Sequence, residues 1–117
     1  MPDDYTALVN ALQRSGIPFA EYEWDTRPVG KYGLVSLDME ADSLDGDGRK
    51  QDRAWEASVD AFFQRMDERE TVIRTVEEIL TAVCGSAWAM NSYTFETANR
   101  MFHIEWVCQV KHSGRGG

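Results

Sequence analysis

Two stretches of this chain alternate apolar and polar residues, and a long polar connection separates them. The first begins near Tyr32, and the second runs from Trp55 to Phe63. Alternation at period two predicts β-strands that each bury one face, so we expect a long β-hairpin. The apolar positions are Val35, Leu37, Met39 and Ala41 in the first strand, and Trp55, Ala57, Val59, Ala61 and Phe63 in the second.

The connection, residues 42–52, is acidic and contains Gly46 and Gly48. Hairpin loops usually have about two to five residues, so this loop costs more chain entropy than a turn requires. Leu44 is its only apolar residue, which leaves little surface to bury when the loop is ordered. We expect this loop to be the most mobile internal segment of the isolated protein and to become ordered on contact with a partner.

Two amphipathic helices are predicted from apolar residues at helical spacing. In the first helix, Asp3 or Asp4 caps the start, and Gly16 and Pro18 end it. The second covers residues 67–84: Asp67 and Glu70 approximate a capping box, and Gly85 ends the helix. The apolar stripes are Tyr5, Leu8, Val9 and Leu12, then Val72, Ile73, Val76, Ile79, Leu80 and Val83.

Three further strands are predicted, at residues 20–24, 90–96 and 102–110, with a turn at 97–100. In the last strand Phe102, Ile104, Trp106, Cys108 and Val110 are the apolar positions. The fold class is therefore α+β: a mainly antiparallel sheet of about five strands, with two helices packed on one face and a long β-hairpin. We expect a single domain over residues 1–110, followed by a flexible C-terminal tail at 111–117.

The composition indicates a folded protein, because hydrophobic residues make up 43% of the 117 positions. No apolar run approaches the roughly 20 residues that cross a bilayer, and residues 1–4 do not resemble a signal peptide. The expected location is therefore the cytosol, without a membrane partner. The net charge is −8, and the basic residues are scattered, which argues against specific nucleic-acid binding. The alternative is that the acidity serves only solubility.

The search for catalytic chemistry finds no nucleophile elbow, phosphate loop or dinucleotide fingerprint. His103 and His112 are too far apart to form a metal-binding pair on one helix face, and we expect His103 to be an exposed strand residue. Cys84 and Cys108 have no Cys-x-x-Cys spacing and fit reduced thiols, with Cys108 buried and inert. We predict no enzyme activity and no cofactor, although an active site assembled from distant residues stays open.

The acidic loop also invites a calcium interpretation, because hard cations bind several carboxylate oxygens. The register fails: with Gly48 at the turn position of an EF-hand, Ala54 stands where a bidentate Glu is needed. Basic residues nearly balance the charge of the loop, which favours a protein interface, with plain solvation and a metal site as the alternatives. The predicted interface residues are Asp42, Asp45, Asp47, Arg49, Lys50, Asp52 and Arg53.

Several segments, taken in order, resemble the tail completion, or tail terminator, proteins of long-tailed bacteriophages and prophages. The resemblance covers about residues 4–110. It rests on the opening helix with Leu12 followed by Gly16-Ile17-Pro18, the strand entry 28–37, the hairpin loop, the helix 67–84 and the closing strand 102–106.

The resemblance implies a small α+β subunit of a ring, a hexamer in that family, on the end of the tail tube. The ring ends tube growth and presents the surface that the head joins. It further implies three partners: other copies of the chain, the tail tube protein and the head–tail connector protein. The expected location is the host cytoplasm during assembly and then the virion tail. The family has no catalytic residue to carry over, and a net charge of −8 suits a ring that lets DNA pass.

Two alternatives of other kinds stay open. One is another small neck or assembly protein of the virion. The other is a metal-dependent enzyme or a small-ligand binding domain that uses Asp45, Asp47 and His103, which would have to converge in one pocket.

Overall fold

The computed structural model describes residues 3–38 and 55–111, which form two α-helices and a five-stranded sheet. The elements in chain order are α1 (Asp3–Gln13), β1 (Phe19–Glu21), β2 (Tyr32–Asp38), β3 (Trp55–Phe63), a 3₁₀ turn (Met66–Glu68), α2 (Arg69–Cys84), β4 (Trp88–Glu96) and β5 (Met101–Val110). None of the helices in these two ranges is long and apolar enough to cross a membrane.

The sheet has the order β1-β2-β3-β5-β4, with β1 parallel to β2 and the other neighbours antiparallel. The predicted α+β class is therefore confirmed. β2 and β3 pair from Tyr32 opposite Phe62 to Asp38 opposite Glu56, so the two arms of the predicted hairpin lie side by side. Residues 39–54, which connect them, lie outside the described part of the chain.

The core lies between the two helices and one face of the sheet. Both apolar stripes supply it, with Leu8 and Leu12 from α1 and Val76 and Leu80 from α2 fully buried. The alternating positions of β3 and β5 supply the other side: Ala57, Val59, Ala61 and Phe63 face Cys108, Trp106, Ile104 and Phe102. Trp106 is fully buried, and its indole N–H donates a hydrogen bond to Glu77 on α2 at 2.9 Å.

The first strand is shorter than predicted, because β1 ends at Glu21 rather than Trp24. Tyr22 has a φ of 67°, in the left-handed region, and this conformation cannot continue an extended strand. The aromatic ring of Phe19 lies directly over Gly33 of β2, at the position that a Cβ of residue 33 would occupy. Glycine at position 33 therefore lets β1 approach β2 closely.

The predicted capping box of the second helix is wrong. Asp67 lies in the 3₁₀ turn, and its carboxylate accepts two hydrogen bonds from Arg65, at 3.1 and 2.7 Å. The helix begins at Arg69, after Glu68, which makes no side-chain capping bond. The predicted end is confirmed: α2 stops at Cys84, and Gly85 has a φ of 64° and donates its N–H to the Thr81 carbonyl.

Candidate functional site

The seven residues predicted to form an interface all lie between positions 39 and 54, outside the described residues. The structure describes the strand ends that flank them. Asp38 at the end of β2 lies opposite Glu56 of β3, and the Ser58 hydroxyl donates to the Asp38 carboxylate at 2.8 Å. Acidic side chains therefore continue from the loop onto the sheet.

Strand β4 forms one edge of the sheet and begins two residues earlier than predicted, at Trp88. Among the described residues it pairs with β5 alone, and the other side of an edge strand can offer backbone N–H and C=O groups to a further strand. Residues 88–95 contain no charged side chain. The pairing register with β5 shifts between Met90 and Ser92, which marks a β-bulge. This bulge interrupts the otherwise regular edge of β4.

Apolar side chains are exposed beside this edge, on the side of the sheet that carries the helices. The side chain of Met90 is 39% exposed, that of Phe95 48% and that of Met66 56%. Tyr93 connects them, because its hydroxyl contacts the Met66 sulfur at 3.9 Å and its ring meets Phe102, on which Phe95 also packs. We name Met66, Met90, Tyr93 and Phe95 the β4 patch.

The opposite face of the sheet is rich in carboxylates, and neither α1 nor α2 of the described residues covers it. We call it the helix-free face. A stack of three rings crosses it: Tyr32 on β2 lies 4.8 Å from Phe62 on β3, which lies 4.2 Å from His103 on β5. The register places the following acidic residues on this face: Asp38, Glu56, Asp60, Glu96 and Glu105.

His103 is not the exposed strand residue that the sequence predicted, since its side chain is 23% exposed. Its Nε2 lies 2.7 Å from Asp60 Oδ1, and its Nδ1 lies 2.8 Å from Glu96 Oε2. Ionised carboxylates only accept hydrogen bonds, so contacts from both ring nitrogens favour the doubly protonated imidazolium form of His103. The hydrogen bond to Asp60 raises the pKa of His103, Glu96 adds to this, and partial burial opposes it.

Glu96 is also held by the turn after β4, where the Asn99 amide donates to it at 3.0 Å. This bond is the main reason that the pKa of Glu96 is lowered, and the contact with His103 adds to the effect. The His103 cluster of Asp60, Glu96 and His103 therefore joins three strands, β3, β5 and β4.

Two shallow depressions, of about 440 and 390 Å³, adjoin the ring stack. They share Arg27, Tyr32 and Asn99, and they lie between the loop after β1 and the turn between β4 and β5. The Arg27 guanidinium donates to the Tyr32 hydroxyl at 3.3 Å. No serine, cysteine or histidine is among the described residues that line them.

Within residues 3–38 and 55–111, no group of three or more side chains is arranged to hold a metal ion. His103 is held by Asp60 and Glu96. Asp45 and Asp47 lie outside the described residues, so the alternative of a metal or small-ligand site at these three residues stays a prediction. Cys84 is half-buried at the end of α2, Cys108 is buried on β5, and both are free thiols.

Comparison of the sequence with protein-family models and with curated proteins found no match. The arguments about function therefore rest on the residues themselves. Sequence reasoning missed the β4 patch and the His103 cluster. The sequence does carry one signal for the β4 patch. Residues 88–95 are eight successive strand positions without a charged side chain, whereas edge strands are usually protected by charged residues.

Proposed function

We propose that this chain is a structural protein that assembles with copies of itself into a ring on the end of a phage tail tube. The ring stops tube growth and provides the surface that the head joins. The proposal rests on the resemblance of residues 4–110 to tail terminator proteins and on one feature of the structure, the edge strand β4, whose residues 88–95 are uncharged, with its exposed patch.

The β4 edge supports self-assembly because it combines two kinds of unused contact. Its free backbone groups can extend the sheet into a neighbouring molecule. The exposed side chains of Met66, Met90 and Phe95 lose contact with water when a partner covers them. The opposite edge, β1, has only three residues, so a neighbour meets β4 with a different surface of its own. Contacts between unlike surfaces close into rings when the rotation permits.

The helix-free face supports the same role through its charge. Five carboxylates face one imidazolium there, and the whole chain has a net charge of −8. Such a face repels phosphates, which suits a ring that DNA passes without being bound.

The first test measures assembly of the purified protein. We expect sedimentation velocity and light scattering to show one closed oligomer at high protein concentration. Met90→Lys adds a charge to the β4 patch and should weaken assembly at least tenfold. Val29→Lys is the matched control, because Val29 is fully exposed in the loop after β1 and the charge change is the same. A wild-type chain that stays monomeric at all concentrations contradicts the proposal, as does equal assembly of both variants.

The second test measures tail length. The chain is produced together with a tail tube protein from the phage or prophage that encodes it, and the tubes are measured by electron microscopy. Wild-type protein should give tubes of uniform length with a ring at one end, whereas Met90→Lys should give longer tubes of variable length. A neck protein would instead bind the connector without changing tube length, and that result would replace the present proposal with the neck alternative.

A further inference from the structure

The two cysteines are far apart in the sequence, and both lie where the end of α2 packs against β5. Cys84 is the last residue of the helix, and Cys108 lies on β5 opposite Ala57 and Trp88. The chain between them is tied at this point: the Ala87 N–H donates to the Cys84 carbonyl at 3.0 Å, and the Ala87 carbonyl accepts the Gln109 N–H at 2.9 Å. The end of α2 is thereby held beside Cys108.

The two thiol groups belong to the same packed junction, and they differ in exposure. Cys84 is partly exposed and packs against the core that contains Cys108, which is 2% exposed. The hydrogen bond from Cys108 lowers the pKa of Cys84, while burial and Asp4 oppose this. The same bond, together with burial, raises the pKa of Cys108. Cys84 is therefore the sulfur that a dissolved oxidant reaches first, and Cys108 is the protected partner, because Cys84 is partly exposed and Cys108 is buried.

A depression of about 310 Å³ opens beside this pair, and Ala87, Trp88 and Cys108 are among its lining residues. Small molecules in solution can therefore approach the junction of α2, β4 and β5. A partly exposed thiol of lowered pKa next to a second, buried thiol is the arrangement found at cysteines that are oxidised reversibly.

We infer that Cys84 and Cys108 form a redox-active dithiol that peroxides convert to an intramolecular disulfide, with Cys84 as the attacking residue and Cys108 as the resolving residue. This inference is independent of the proposed ring. The disulfide would join the end of α2 covalently to β5.

The reaction has two steps and needs only hydrogen peroxide as the oxidant. The Cys84 thiolate attacks one peroxide oxygen, so that an S–O bond forms, the O–O bond breaks, and the departing hydroxide takes up a proton as water. Cys84 is now a sulfenic acid. The Cys108 sulfur then attacks the Cys84 sulfur, the S–S bond forms, the S–O bond breaks, and the leaving hydroxide takes the Cys108 proton as water. Two thiols and one peroxide give one disulfide and two waters.

The test treats the reduced full chain with one equivalent of hydrogen peroxide. We expect the thiol count, measured in denaturant, to fall from two per chain to none while the protein remains uncrosslinked between chains. Peptide mapping should find residues 84 and 108 linked, and dithiothreitol should restore both thiols. Because a cross-link reduces the entropy of the unfolded chain, the melting temperature of the oxidised protein should be several degrees higher.

Two variants separate the roles of the cysteines. In Cys108→Ala the sulfenic acid at Cys84 has no resolving partner and should be trapped by dimedone. In Cys84→Ser, oxidation of Cys108 should be at least tenfold slower than oxidation of the wild type. A measurement without variants is the alkylation of the native protein by iodoacetamide, in which Cys84 should react at least tenfold faster than Cys108.

Three results would overturn the inference. They are equal alkylation rates at the two residues, disulfide-linked dimers as the main product, and overoxidation of Cys84 while Cys108 stays a free thiol. Each of them would mean that Cys108 does not resolve an oxidised Cys84.

Discussion

At the scale of single residues, His103 shows how a side chain that seemed ordinary in the sequence acquires a specific state in the fold. Its ring lies flat on Phe62 and has a carboxylate at each nitrogen, Asp60 on one side and Glu96 on the other. Charged hydrogen bonds of this kind stabilise folded proteins more than neutral ones do. Removing the imidazolium would leave two carboxylates on the same face without their shared partner.

We predict that the stability of the protein decreases with rising pH because of His103. Its pKa is raised in the folded state, so its contribution is complete below the unfolded value of about 6.5 and is lost as the pH rises through the higher folded value. At pH 6, His103→Gln should lower the free energy of unfolding by about 1–3 kcal/mol. Urea unfolding between pH 6 and 9 checks both statements.

The control for this experiment is His112→Gln, which removes the other histidine of the chain. It should leave the pH dependence as in the wild type, whereas His103→Gln should flatten it. If the two variants have the same pH dependence, the His103 cluster does not contribute as described. The contribution of Glu96 has the opposite sign, because its pKa is lowered and its part is lost as the pH falls.

At the scale of elements, the two edges of the sheet differ in length and in protection. β1 has three residues and ends where Tyr22 turns away, and its Phe19 ring is buried against Gly33. β4 has nine residues and an exposed apolar patch. A short edge is a poor template for a further strand, and a long uncharged one is a good template. Of the two edges, β4 is therefore the one better suited to the proposed contact with another chain.

We predict that Gly33→Ala destabilises the protein by about 1–3 kcal/mol, because the new methyl group would overlap the Phe19 ring. The loss should be smaller by about 1 kcal/mol in a Phe19→Leu background, since the smaller side chain leaves room for the methyl group. Urea unfolding of the wild type, both single variants and the double variant completes this cycle. Equal losses in both backgrounds would show that the close approach of Phe19 is not the cause.

At the scale of the whole molecule, charge and apolar surface are separated. The helix-free face carries the carboxylates, and the edge of β4 carries exposed apolar groups on the helix side. In an assembly of identical chains, the acidic faces would repel one another if they met directly. Contacts through the β4 edge and through residues 42–53, where Arg49, Lys50 and Arg53 nearly balance the four Asp residues, would avoid this repulsion.

We predict that Arg49→Glu together with Lys50→Glu weakens assembly while the fold survives. Both residues lie in a polar stretch without core periodicity, so the monomer should lose no more than about 0.5 kcal/mol. In a ring, each subunit repeats the same contact, and reversed charges would face the acidic partners of the next molecule. Light scattering at high protein concentration measures the assembly.

The matched control reverses two other exposed arginines, Arg14 just after α1 and Arg74 on α2, and changes the net charge by the same amount. This control should assemble more strongly than the loop variant. If both variants lose assembly equally, general repulsion explains the effect, and if neither does, the loop is not a contact between subunits.

The pattern of apolar positions determined which segments of this protein are helices and which are strands. A helix or strand that buries one face needs apolar residues that repeat at its own structural period. The stripe from Val72 to Val83 and the alternation from Trp55 to Phe63 each allow one kind of structure, and both are present. The α+β class followed from their order. The start of α2 could not be predicted in the same way, because Asp67 can bond either to the helix or to Arg65, and local spacing does not decide between the two.

Only the tertiary structure decided which polar residues come together and which apolar ones stay exposed. Asp60, Glu96 and His103 belong to three strands. The sequence alone does not show how neighbouring strands are aligned, so it does not show that these residues meet. Cys84 and Cys108 meet because α2 ends over β5, and Met90 and Phe95 are exposed because β4 is an edge. Strand order depends on the packing of the whole chain, since the same alternation would suit a central strand equally well.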